Sequence, residues 1–418
     1  PNLPCHKSPK PTKFCHFKKK VHPMRYASIT DRLADLAGAK WAIHARTRAL
    51  KKSGADVIEL TIGEPDVPTP TTLIECAARS MAQGRTGYSN GRGEPALLKA
   101  LADRYTERRK RAISTDQIMC FPGTQTTIFS IFLALTESGD EVLVGDPMYA
   151  TYEGVIRASG AAVVPVTLRP EHGFRMQASD LALKINNRTK VIFLNSPHNP
   201  TGAILRKDDI AAIGALAKAH DLWIVCDEVY EDMIFDGAEF ASPLDDITLA
   251  DRVIVACSIS KSHAAAGFRS GWCIGPHEFT KRLLPVSETM LFGNQPFIAD
   301  MTALALSAPS AVAADMRERF ARRADQLVTR LDGVAGLKVY RPSAGMFALV
   351  DVRGTGLSGL HFAERLLDEA LVGVMPGCSF GPVLSGWLRL ALSTNDADIS
   401  RACDRIITFA EGLSTGEP

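Results

Sequence analysis

The chain has 418 residues, 46% of them hydrophobic and 22% charged, enough material for a large core divided between two domains or one large and one smaller. Its net charge is +2, but residues 1–23 carry six lysines and no acid and leave residues 24–418 at −4, so a basic nucleic-acid surface is not indicated. Nine scattered cysteines without a CxxC pair, and no apolar run near the roughly 18 residues that span a bilayer, argue against a disulfide framework, a zinc site and a membrane span, and predict a reducing, cytoplasmic setting.

Residues 1–23, rich in lysine and proline and without helical or strand period, read as a disordered basic extension ahead of Met24. From there apolar, β-branched runs alternate with longer stretches of helical spacing. The runs are "QIMCF" (117–121), "EVLVG" (141–145), "KVIFL" (190–194), "LWIVC" (222–226) and "RVIVA" (252–256), with a helix predicted over 124–139 after the first. Such alternation predicts an α/β fold, a mainly parallel sheet with helices on both faces, over 61–308. After residue 308 the texture changes to a long charged helix (309–333), a strand pair within 337–352, then helix, strand and helix. Residues 309–418 together with 24–60 are expected to form a smaller α+β domain.

In an open parallel sheet, ligands bind beyond the carboxyl ends of the strands. Gly123, Thr124 and Gln125 follow the first run, and Asp146 to Tyr149 the second. "NSPHNPTG" (195–202) follows the third, "DEVY" (227–230) the fourth, and Ser258, Ser260 and Lys261 the fifth. A lysine ending a buried strand is costly unless something pairs with it. Taken singly, each of these residues has an ordinary structural explanation: a cap, a turn, a surface ion pair, a packed ring. Taken together at one sheet edge they suit pyridoxal phosphate, which needs an amine for its aldehyde, an acid for its ring nitrogen, donors for its phenolic oxygen and a cradle for its phosphate.

With "NSPHNPTG", "DEVY", "SISKSHAAAGFRSGW" (258–272) and "GWLRLAL" (386–392) in this order, the chain resembles the class I/II aminotransferases, pyridoxal-phosphate enzymes of fold type I, over about residues 28–415. The resemblance implies roles residue by residue. Lys261 would hold the cofactor covalently and act as the general base. Asp227 would face the ring nitrogen, Tyr230 and Asn199 the phenolic oxygen, and Tyr149 the ring face. Gly123, Thr124, Gln125, Ser258, Ser260 and Arg269 would hold the phosphate, joined by Tyr88 lent across a homodimer. Arg389, with Gly63 and Asn199, would grip the substrate carboxylate. No metal ligand set is implied, and His198 and His263 match no role and are expected to be structural or solvent-facing.

Within that family the runs look most similar to arginine–pyruvate transaminases, and more broadly to aspartate aminotransferases. Thr124 stands where many of the latter place a lysine for a second substrate carboxylate. The implied reaction is transfer of the α-amino group of a basic or neutral L-amino acid to pyruvate. An aspartate aminotransferase using 2-oxoglutarate and a lyase on the same cofactor are the alternatives. A DNA-binding regulator on this fold would need a reading domain that a 23-residue tail cannot supply.

Overall fold

The computed structural model describes residues 24–36, 38–235 and 237–415; the basic extension expected at 1–23 lies outside them. Twelve strands occur among the described residues: β1 (Ile58–Leu60), β2 (Ile118–Phe121), β3 (Glu141–Asp146), β4 (Ala162–Thr167), β5 (Thr189–Asn195), β6 (Trp223–Asp227), β7 (Val253–Ser258), β8 (Gly271–Ile274), β9 (Lys338–Tyr340), β10 (Phe347–Asp351), β11 (Val372–Pro376) and β12 (Trp387–Ala391). The five runs read from the sequence are β2, β3, β5, β6 and β7. The α/β architecture and its mainly parallel sheet are as expected.

A seven-stranded sheet has the order β2-β8-β7-β6-β5-β3-β4. All neighbours are parallel except β8, which pairs antiparallel with both β2 and β7. Both faces are covered, and the alternation of buried side chains shows it. Val253, Val255 and Cys257 of β7 enter one core cluster while Ile254 and Ala256 enter another. Ile192 and Leu194 of β5 likewise separate from Val191 and Phe193. Two buried faces explain why these strands read as continuous apolar runs rather than as alternating ones.

The five-stranded sheet, ordered β1-β11-β12-β10-β9, draws strands from both ends of the described chain. Its core includes Val374, Leu388 and Leu390, the long helix Ala311–Leu331 through Phe320 and Leu327, and also Val229 and Tyr230 from the segment just after β6. That segment therefore ties the edge of the large sheet to the small one. The Ala311–Leu331 helix matches the predicted one closely, whereas the first large-sheet helix ends at Leu135, four residues short of expectation, because Thr136 leaves helical geometry at φ −134°, ψ 151°. Among the described residues no single helix is long and apolar enough to cross a membrane.

Candidate active site

Three carboxyl ends set the floor of the site. Asn195 ends β5, Asp227 ends β6 and Ser258 ends β7, in consecutive parallel pairing, so residues distant in sequence emerge side by side. Above them lies a cavity of about 370 Å³ whose wall holds Gly63, Thr124, Gln125, Tyr149, Asn199, Asp227, Tyr230, Ser258, Ser260, Lys261, Arg269 and Arg389. Gly123 is the N-cap of the helix that contributes Thr124 and Gln125. Twelve of the fourteen sequence-derived positions thus face one cavity and Gly123 abuts it. Tyr88 does not: it is 93% exposed and leans on the Phe292 ring at 5.7 Å.

Asp227 is buried and accepts two hydrogen bonds, from the Tyr152 hydroxyl at 2.7 Å and the Val229 backbone N–H at 3.0 Å. Burial nevertheless pushes its carboxyl up to about 6. A cation placed against it would bring it down again. Tyr152 was not among the sequence candidates. Its helix position reads as packing, and only the sheet order brings its hydroxyl to Asp227.

Lys261 donates to the Gly63 carbonyl at 2.8 Å. Burial pulls its ammonium down to about 8, opposed by the nearby carboxylate of Glu64. Tyr230 is buried, its phenol is pushed up by desolvation, and it hydrogen-bonds Asn199; it stays a neutral hydroxyl. Burial also raises the Tyr149 phenol. His198 and His263 are buried, not solvent-facing: His198 pairs with the Thr201 hydroxyl at 2.8 Å, and His263 lies between the Ser262 hydroxyl and the Ala305 carbonyl.

Arg389 on β12 is buried without any acid partner among the described residues. One guanidinium nitrogen donates to the Thr61 carbonyl at 2.7 Å and another to the Asn199 side-chain oxygen at 3.3 Å. The guanidinium carbon lies 3.9 Å from the Phe347 ring centre and 4.4 Å from that of Phe380. Burial lowers it to about 10. Two aromatic faces and neutral oxygens stand in for a counter-ion, so an incoming carboxylate meets a guanidinium with no protein acid to displace.

The part of the wall formed by the start of the Thr124–Leu135 helix suits an anion. Thr124 and Gln125 open an α-helix, whose first N–H groups lack intrahelical partners. Gly123 has φ +86°, and a Cβ there would overlap the Arg269 guanidinium, so glycine is what lets the arginine lie across the helix start. Arg269 itself is in the left-handed region at φ +54° and donates to the Ala266 carbonyl at 2.8 Å, with no acid paired to it among the described residues. The buried Thr124 hydroxyl has no partner.

The model of the family "Aminotransferase class I and II" matches residues 55–406. The chain belongs to this family. It is 42% identical to the arginine–pyruvate transaminase AruH of Pseudomonas aeruginosa over 93% of this chain and 99% of that one. It is 33% identical to the aspartate/prephenate aminotransferase of Thermus thermophilus, covering 87% and 94% of the two chains. The solved Thermus thermophilus aspartate aminotransferase with maleate superposes with a TM-score of 0.86 at 33% identity, covering 92% of this chain and all of that one.

Aminotransferases of this class use pyridoxal 5′-phosphate. The donor set here fits that group: two guanidinium groups without an acid partner among the described residues, an unpartnered hydroxyl by the helix start, a buried acid raised by desolvation and a lysine, all lining one cavity. No group of three or more metal-ligating side chains occurs among the described residues. A first expectation follows from Lys261. Only the neutral amine attacks an aldehyde, so the rate at which the cofactor-free aminotransferase captures pyridoxal phosphate should rise with pH and level off above about 8. Stopped-flow absorbance across pH 6–11 measures it, with the range taken as roughly bracketing the ordinary lysine value. An inflection at that ordinary value would show that Lys261 is not desolvated in solution.

Proposed function

We propose that this aminotransferase moves the α-amino group of L-arginine, or another basic or neutral L-amino acid, to pyruvate. The observation that carries the reading is the 42% identity to an arginine–pyruvate transaminase over nearly the full length of both chains, against 33% for an aspartate enzyme. Thr124 supports it, since no lysine stands there to meet a second substrate carboxylate, and an unpaired carboxylate in a closed site is costly.

The placement described above supports the following residue roles. Bound cofactor supplies an electron sink that stabilises negative charge developing at the substrate α-carbon. Lys261 would hold the cofactor and, as a neutral amine, would take the α-proton of the amino donor on Nζ and, when the exchange runs in reverse with the acceptor, would deliver a proton to that acid's α-carbon. Burial prepares it for that work by disfavouring the ammonium. Asp227 keeps the ring nitrogen protonated, and Tyr152 and the Val229 N–H fix which way its carboxyl points. Tyr230 and Asn199 serve the phenolic oxygen, and Tyr149 covers the ring. Thr124, Gln125, Ser258, Ser260 and Arg269 take the phosphate. Arg389 orients the substrate by its carboxylate, with Asn199 and the 61–63 backbone beside it.

We take residues 61–308 as the cofactor-binding domain and 24–60 with 309–418 as the domain that carries Arg389. We also propose a homodimer. Tyr88, 93% exposed and outside the cavity wall, with Phe292 65% exposed beside it, suits a surface covered by a second copy, from which Tyr88 would reach the neighbour's phosphate. Light scattering should show a dimer, and a fully active monomer at nanomolar concentration would refute it.

The substrate reading is tested by kcat/KM for L-arginine with pyruvate beside L-aspartate with 2-oxoglutarate on one preparation. Arginine is expected to win. A preference of about tenfold for aspartate, roughly 1.4 kcal/mol in the transition state, would overturn the substrate reading and leave the aminotransferase assignment in place.

A further inference from the structure

Asp227 and Tyr230 line the cavity, but Glu228 and Glu231, the acids that follow each of them in the chain, do not. Both carboxylates lie behind the cavity against the end of the helix Pro95–Arg109, with side chains 0% and 2% exposed. One terminal nitrogen of Arg109 donates to Glu228 at 3.0 Å and to Glu231 at 2.8 Å. The other oxygen of each acid is also taken: Ser242 donates to Glu228 at 2.5 Å and the Tyr105 hydroxyl to Glu231 at 2.8 Å. The Arg109 side chain is itself only 5% exposed, its guanidinium 5.7 Å from the Tyr105 ring centre and 5.4 Å from that of Phe240. These contacts close within one chain, at a depth that a second copy does not reach.

Ionised groups taken out of water are costly, and a buried ion cluster adds little net stability over an apolar core of the same shape. Its use lies in the geometry it fixes, and here that geometry falls on the segment that carries the site. Val229 lies between Glu228 and the next anchored acid, and its backbone N–H donates to Asp227 at 3.0 Å. The Glu231 N–H donates to the Glu228 carbonyl and the Met233 N–H to the Tyr230 carbonyl, each at 2.8 Å, so residues 228–233 form two tight turns. Arg109 holds both ends of the first turn from behind while Asp227 and Tyr230 project in front. Asp232 extends the anchorage: its carboxylate pairs with Arg104 and Arg108, and its carbonyl accepts from Arg317 of the Ala311–Leu331 helix at 3.3 Å.

We propose that Arg109 is a positioning residue for the cofactor: by bridging Glu228 and Glu231 it fixes the Val229 N–H against Asp227 and sets where Asp227 and Tyr230 meet the cofactor ring. Lysine would not replace it. A lysine side chain carries the charge but ends one bond short and has no planar face for the Tyr105 and Phe240 rings. The assignment rests on the roles of Asp227 and Tyr230 given above.

The Asp227 carboxyl faces the Tyr152 hydroxyl, Lys261 and the buried phenols of Tyr149 and Tyr230, and the test alters none of these. Cofactor-free protein is titrated with pyridoxal phosphate by fluorescence across roughly pH 5–8. Arg109→Lys keeps the charge of the cluster but loosens the Val229 N–H, whose bond favours ionised Asp227. The pH midpoint of cofactor affinity, near 6 in wild type, should therefore move up by roughly half a unit or more. In an Asp227→Asn background the same change should move no midpoint. In the loaded enzyme, kcat should fall roughly tenfold, while KM for the preferred amino donor stays within about twofold because Arg389 holds its carboxylate from another strand. The double variant Tyr105→Phe/Ser242→Ala removes two hydroxyl donors with every charge in place. It should move the midpoint in the same direction, and it carries the test if Arg109→Lys does not fold. A midpoint that stays at the wild-type pH in these variants overturns the role of Arg109 and leaves that of Asp227 standing. A wild type whose affinity has no midpoint near 6 and matches Asp227→Asn overturns both.

Discussion

Lys261→Ala is expected to lower turnover by roughly 10⁴-fold while the protein still binds its cofactor, non-covalently. The size follows from two tasks resting on one nitrogen. The lysine would position the cofactor aldehyde carbon, and burial brings its ammonium down to about 8, nearer to a neutral amine at working pH than the Arg389 guanidinium at about 10. Asp227 is occupied by Tyr152 and Val229, and the buried phenols of Tyr149 and Tyr230 are pushed up, away from acting as bases at neutral pH. Borohydride should fix the cofactor to wild-type protein at Lys261 and leave it removable from the variant. A small exogenous amine that fills the space left by the side chain should restore part of the proton transfer. Substantial activity without any added amine would remove Lys261 from the reaction.

What made this site readable in the sequence is that its polar residues interrupt an otherwise apolar pattern. Asp227 ends "LWIVC" and Ser258 closes "RVIVA" plus one residue, and the parallel order β5-β6-β7 turns those interruptions into neighbours. Lys261 stood out by cost, as an ammonium where the strand's burial continues. Tyr152 gave no such sign. In "MYATYEG" it sits on a helix face with the spacing of a packing residue, and it meets Asp227 because β3 lies one strand beyond β5 in the sheet, a fact of topology and not of local pattern. Trp41, Phe347 and Phe380 were hidden for a related reason. Each reads as an ordinary core aromatic, and their place around Arg389 and the cavity mouth arises only where the two sheets meet. The antiparallel β8 escaped notice because Gly271–Ile274 is too short to show a period. It matters nonetheless: a Cβ at Gly271 would stand 2.7 Å from the Gly123 carbonyl carbon, so this strand holds the anion-facing loop from behind.

Asp227→Ala should cost about 10²- to 10³-fold in kcat, whereas Asp227→Glu keeps a measurable part of it, because in the proposed role the acid sets a negative charge against the ring nitrogen. A charge-assisted hydrogen bond of this kind contributes about 1.5–3 kcal/mol, and its weight grows as charge develops in the water-poor site. The protein has prepared the acid at a cost. Taken from water, its carboxyl rises to about 6, and the Tyr152 hydroxyl and Val229 N–H recover only part of what burial removes. A carboxyl raised in this way is protonated below about 6 and then carries no charge to set against a pyridinium. Cofactor affinity is accordingly expected to weaken as pH falls through about 6 in wild type, and to lose that dependence in Asp227→Asn, which is neutral throughout. Fluorescence titration of the cofactor-free protein with pyridoxal phosphate from pH 5 to 8, a range set roughly by the ordinary and raised carboxyl values, measures both. The two tests separate the roles: equal activity of the alanine and glutamate variants would make Asp227 a structural residue, and an unchanged pH dependence in the asparagine variant would assign the acid limb to another group.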